Sequence, residues 1–141
     1  MINTRRGTLL VAILAASSGS LLTAAVEHVA LAQQDGIKRT ILRRVADPAN
    51  PNYEIVLGVS ELAPGASSGK HRHPGVEVGY VLAGALTVDY EGGKSQTFNP
   101  GETTGAENSA IHNARNTGST TVRTVAVWVV EKGKPLAEPV R

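Results

Sequence analysis

The chain has 141 residues, enough for one hydrophobic core and too few for two, and no change of composition inside it marks a linker. Its formal charge of +2 comes from scattered basic residues, a pattern that excludes nucleic acid as a partner and gives no reason to expect an anionic membrane surface. Cysteine is absent, which excludes disulfides, thiolate metal sites and a cysteine nucleophile, so any metal must be held by nitrogen and oxygen.

At the start of the chain, Arg5 and Arg6 precede an apolar run from Leu9 to Ala16, small residues continue through Ala25, and Ala30, Leu31 and Ala32 stand before Gln33. This order predicts a secretory signal peptide over residues 1–32 and a periplasmic or secreted mature domain over residues 33–141. Ser17, Ser18, Gly19 and Ser20 interrupt what would otherwise be a spanning segment, so no stable membrane anchor is expected after cleavage. The run from Thr4 to Leu10 also resembles a twin-arginine export signal, with Thr8 where that signal usually has phenylalanine. That route carries folded proteins, and so can carry one already loaded with metal.

From Gln33 onward the sequence consists of short apolar runs broken by glycine, proline and asparagine, without a sustained stripe of helical period, which predicts an all-β domain. Strands are expected at Ile37–Arg43, Tyr53–Leu62, Lys70–Val81, Ala85–Tyr90, Ser95–Phe98, His112–Asn116 and Thr121–Val130. Between them lie the loop from Asp47 to Pro51, the break at Pro64 and Gly65, a tight hairpin at Gly92 and Gly93, and a turn at Pro100 and Gly101. Strands this short and numerous build a sandwich or a closed barrel. The last one is apolar on both faces, with Val125, Val127 and Val129 on one and Ala126, Trp128 and Val130 on the other. Either a two-layer interior covers both, or the face bearing Trp128 packs on a second copy in a two-fold homodimer. In the dimer, Ile37–Arg43 would pair with the partner's sheet edge, against which the edge charges Arg39, Arg43 and Arg44 argue.

Four histidines are present, and His28 leaves with the predicted signal peptide. His71 and His73 are two residues apart, which places both on one face of a strand, and Glu77 keeps the same parity. His112 arrives from a separate strand. Glu77 lies between Val76 and Val78 and leads into Tyr80, Val81 and Leu82, so its face is in or near a core, where a carboxylate needs a cation. A metal ion supplies one; the plainer alternative is pairing with Arg72 or another base. Neutral imidazoles and a carboxylate suit iron, manganese, nickel, zinc or copper(II), and four ligands leave two positions open on an octahedral ion. Gly79, with inward parity, either opens a pocket beside that ion or marks close packing. Asn113, Arg115 and Tyr80 have the opposite parity and are expected outside the pocket.

Gly65, His71, His73, Glu77 and Gly84 reproduce the first motif of the cupins at every fixed position: glycine, five residues, histidine, one, histidine, three, glutamate, six, glycine. The second motif falls on Gly101, Glu107, Ser109, His112 and Asn116, with Glu107 in place of proline and Ser109 in place of glycine. Those two departures bear on the turn ahead of the ligand strand rather than on the ligand. The mature chain thus resembles a small single-domain cupin, with the likeness concentrated over residues 53–130. The resemblance implies an antiparallel β-barrel or jelly-roll holding one divalent transition metal through His71, His73, Glu77 and His112. It implies either a metal-dependent oxygenase or isomerase acting on a small molecule, or a non-catalytic module that binds a small ligand or metal. No helix-turn-helix pattern is read ahead of the barrel in this sequence, so the transcription-factor form of a cupin is not expected. No further histidine serves as a base, so acid or base work would fall to Glu77, Glu107, a tyrosine or water on the metal.

Overall fold

The computed structural model describes residues 33–141, and the predicted signal peptide, with His28, lies outside the described residues. Among the described residues there is no helix, and the strands form two antiparallel sheets. The first strands are β1 (Gln33–Gln34), β2 (Ile37–Ala46), β3 (Tyr53–Leu62), β4 (His71–Arg72), β5 (Gly75–Ala83) and β6 (Leu86–Tyr90). They are followed by β7 (Ser95–Phe98), β8 (Thr103–Ala106), β9 (His112–Arg115), β10 (Val122–Glu131) and β11 (Glu138–Pro139). One sheet runs β1-β2-β3-β10-β5-β8 and the other β11-β4-β9-β6-β7, so the all-β jelly-roll expected from the sequence is the fold observed.

The predicted strand Lys70–Val81 is instead two strands in different sheets. The chain leaves the smaller sheet at His73 and Pro74 and enters the larger one at Gly75. Pro74 has no N–H to continue the first ladder. Gly75 then runs so close to β10 that a Cβ there would lie 1.9 Å from the Val129 carbonyl oxygen, so a residue without a side chain makes the crossing. His71, His73 and Glu77 therefore do not share one strand face, although they converge. The strand β8 was not anticipated, because Thr103, Thr104, Gly105 and Ala106 carry no large apolar side chain; it is the short edge of the larger sheet. At the other end of that sheet, β2 continues past Arg43 to Ala46 across a bulge that leaves Leu42 out of the register with β3.

Alternation fills the space between the sheets. Val56, Ser60 and Leu62 of β3, Val81 of β5, and Val122, Thr124, Ala126, Trp128 and Val130 of β10 point inward and are buried. Two apolar clusters result, one built on Leu62, Val81, Leu86, Val88, Phe98 and Val122, the other on Val56, Ala126, Trp128, Val130 and Leu136. Trp128 is 1% exposed within a single chain. Its face is therefore barrel interior, which corrects the expectation that a second copy buries it. Apolar side chains left in solvent on the opposite face include Val76, Val78, Tyr80 and Leu82 of β5 and Val127 of β10.

This orientation sets a contrast between two substitutions. Trp128→Ala should lower the unfolding free energy by about 3–5 kcal/mol, the usual cost of emptying a large aromatic site. Val78→Ala, at a residue 62% exposed, should change it by only about 0.5 kcal/mol. Denaturant melts of the two variants test the assignment of inner and outer faces.

Candidate metal centre

Residue 71 on β4 pairs directly with residue 112 on β9, which brings the two imidazole centroids to 4.3 Å. His73 follows where the chain crosses between sheets, and Glu77 reaches the same point from β5, opposite Trp128 on β10. One ring nitrogen from each of His71, His73 and His112 lies within 4.8 Å of the others, and all three residues are buried. The Glu77 Oε2 atom is 3.0 Å from His73 Nε2 and 3.5 Å from His112 Nε2. The four predicted residues thus meet. Arg72 pairs with Glu138 at 3.0 Å and so does not serve Glu77.

The outer nitrogens decide the chemistry of this cluster. Nδ1 of His71 faces the Gly69 carbonyl at 3.0 Å, Nδ1 of His73 the Leu136 carbonyl at 2.6 Å, and Nδ1 of His112 the Ala110 carbonyl at 3.0 Å. A carbonyl oxygen only accepts, so each Nδ1 carries the proton and donates it, which leaves a lone pair on each Nε2. Two of those lone pairs face the Glu77 carboxylate at contact distance. Such a set of acceptors repels itself unless a cation lies among them, and three neutral imidazoles with one carboxylate suit a divalent transition metal. In the metal-free chain a proton takes that part. Burial disfavours charge on His112, but the hydrogen bond to Glu77 outweighs it and raises its pKa. Burial likewise opposes ionisation of Glu77, and its bonds to His112 and His73 override this and hold the carboxyl well below the carboxylate range. His71 is pushed down to about 4, chiefly by burial.

A cavity of about 40 Å³ opens beside the cluster, room for a few waters or a small ligand. Its polar lining includes His71, Glu77, His112, Arg39, Ser60 and Thr124, and apolar residues of both core clusters complete the wall. Gly79 borders it and is also closely packed, since a Cβ would stand 2.8 Å from Thr104 Cγ2. Arg39 was expected as an edge charge. It turns inward instead, donates from Nε to Ser60 Oγ at 3.2 Å and places its guanidinium 5.5 Å from the Trp128 ring. Strand alternation from buried Ile37 was the signal that would have found it. Of the candidates for acid or base work only Glu77 lines the cavity; Glu107 is exposed and no tyrosine reaches it. Asn113, Arg115 and Tyr80 lie outside it, as their parity implies.

The remaining motif positions shape loops. Asn116 is buried, donating from Nδ2 to the carbonyls of Leu62 and Thr120 and accepting from Gly118 N–H, so it ties the end of the ligand strand to its neighbours. Ser109, standing where the motif has glycine, has φ +59° within a turn closed by Ala110 N–H to the Glu107 carbonyl.

The region from residue 58 to residue 130, just over half the chain, matches the model of the cupin domain. The chain belongs to the cupin family. A search of curated proteins finds no match for this cupin. Among solved structures it is similar to an uncharacterized protein with a double-stranded β-helix domain from Klebsiella pneumoniae, at 21% identity over 75% of this chain and 88% of that one, with a TM-score of 0.61. An oxalate oxidase in complex with glycolate gives 24% identity, 78% and 58% coverage and a TM-score of 0.59. The polyketide cyclase RemF from Streptomyces resistomycificus gives 22%, 76% and 72%, and 0.58. At these identities the likeness is one of fold.

Two predictions follow from this geometry. Ser109→Gly should stabilise the protein by about 1 kcal/mol, because a left-handed backbone costs a residue with a Cβ roughly that much; thermal melts read the shift. The second concerns acid. Above pH 6.5 His71 is neutral folded and unfolded; as pH falls towards 4 the unfolded chain takes up a proton that the folded chain refuses, so stability drops across that window. Glu77 adds a loss in the same direction below about 4.5, while His112, with its raised pKa, opposes both by favouring the folded state when protonated. Metal-free His71→Gln should therefore lose less stability between pH 6.5 and 4 than the metal-free wild type. Equal slopes in denaturant titrations at a series of pH values would contradict the assignment.

Proposed function

We propose that this chain is an exported, periplasmic or secreted cupin that holds one divalent transition-metal ion through His71, His73, Glu77 and His112 and uses it on a small molecule taken into the adjoining cavity. The observation that carries this reading is the trio of Nδ1-to-carbonyl bonds, which leaves three Nε2 lone pairs and a carboxylate facing one another. Bound there, an ion such as iron, manganese, zinc, nickel or copper supplies Lewis acidity or redox chemistry according to its identity.

The protein's own residues have three tasks. The carbonyls of Gly69, Leu136 and Ala110 orient the imidazoles; Glu77 contributes negative charge; the apolar walls from Leu62, Leu86 and Val88 to Ala126 limit water. Apart from Glu77 and the histidines, the polar side chains lining the cavity are arginine, serine and threonine, none of them a ready general base. That favours a reaction in which the ion does most of the work, such as an oxygenation or an isomerisation. The neighbouring folds include an oxidase and a cyclase, so fold alone selects no reaction. The second reading, a non-catalytic binding module, uses the same site, and oxygen uptake or product formation with a panel of enols, catechols and keto acids separates the two.

Export is supported by the order of basic, apolar and small residues before Gln33. The metal assignment has a direct test. Glu77→Ala and His112→Ala should each lose most of the bound metal and melt at a lower temperature than loaded wild type, because the ion binds the folded state; at a hundredfold excess over Kd that linkage is about 2.7 kcal/mol. Stoichiometric metal and unchanged melting in both variants would refute it.

A further inference from the structure

We infer that Arg39 is an anion anchor and that the molecule taken by this site is a small carboxylate, an inference that rests on the metal reading above and names its substrate class. Arg39 lines the same cavity as His71, Glu77 and His112. Among the described residues, only Nε of its five N–H donors is engaged, with Ser60 Oγ at 3.2 Å. Among the described residues no carboxylate lies within 4.0 Å of it, whereas Arg44, Arg72, Arg115 and Arg123 each have a glutamate or aspartate in that range. The guanidinium sits 5.5 Å from the Trp128 ring, and Trp128 also packs near His73, so the cation is placed over the wall that backs the cluster.

A charge inside a barrel is disfavoured unless something of opposite sign meets it. The Glu77 carboxylate acts on Arg39 through space, without ion-pair contact. Once Glu77 is committed to a divalent ion, the neutral histidines, the carboxylate, the ion and Arg39 sum to a net positive cavity with two guanidinium nitrogens free. A planar fork of N–H donors fits a carboxylate, and the cavity of about 40 Å³ limits the ligand to a few heavy atoms beyond it. Ser60 fixes the fork by holding Nε, so Arg39 presents its outer nitrogens to the ligand.

Zinc-loaded wild type, titrated with L-lactate and with its neutral counterpart lactamide, tests this by calorimetry and by the fluorescence of Trp128, the single tryptophan of the chain. Lactate should bind, and Arg39→Gln should weaken it at least tenfold while zinc content stays stoichiometric and the weak lactamide signal is unchanged. Arg39→Lys, which keeps the charge and loses the fork, should give a smaller loss, and it carries the test if the glutamine variant does not fold. Lactate affinity equal to wild type in the variants, or equal affinity of wild type for lactate and lactamide with zinc held, overturns the anion proposal and leaves the metal reading standing. A wild-type chain that holds no zinc or other divalent ion overturns the metal reading and this proposal with it.

Discussion

Three imidazole lone pairs and a carboxylate are held against one another in the interior of a small barrel, and much of the structure is arranged to keep them there. Left alone, each ring would turn or exchange tautomers to escape the crowd of acceptors. Carbonyls at Gly69, Leu136 and Ala110 prevent this by each accepting a hydrogen bond from an Nδ1–H. The three carbonyls come from three separate parts of the chain, so the cluster depends on long-range closure and not on one local motif. Leu136 shows this most clearly. It lies beyond the last long strand, and the tail carrying it is pinned by the pairing of β11 with β4.

The scaffold meets that demand by placing apolar packing around the polar centre. One core cluster gathers around Val81, Val88 and Phe98 and the other around Trp128 and Val130, and the cavity is bounded by members of both. The larger sheet supplies Glu77 and Arg39, the smaller one His71 and His112, and the crossing between them supplies His73. Site and fold are therefore coupled: the sheets cannot shift relative to one another without separating the ligands. Glycine at position 75 is part of the same arrangement, since the chain there runs against β10 with no room for a side chain as it changes sheets.

The convergence of His71, His73, Glu77 and His112 was legible because their spacing is dense in metal-ligating types and because Glu77 sits among valines. The reason given for it, one strand face, was incomplete. Pro74 was the signal that the strand ends, and the parity survived only because the break moves the chain to the facing sheet. Of the two covers the sequence offered for Trp128, the interior holds and the second copy does not, and alternating apolar residues on both faces of β10 carry no mark of which face is inward; Thr124, buried on the Trp128 side, and Glu131, at the end of the other, were the available clues. Arg39 was misread because charge on a terminal strand ordinarily means solvent; its inward turn follows from strand alternation with Ile37 and from pairing with Ser60 across β2 and β3. The hydrogen bond from His73 to Leu136 spans 63 positions and was out of reach of spacing arguments altogether.

The central claim, that the cluster is a metal centre with three imidazole ligands and one carboxylate, is tested most directly by X-ray absorption at the edge of the metal carried by protein purified from its native compartment. The account predicts one ion per chain and the multiple-scattering signature of three imidazoles with oxygen in the remaining shell. Protein that carries no stoichiometric metal, or whose spectrum contains no imidazole scattering, would contradict it.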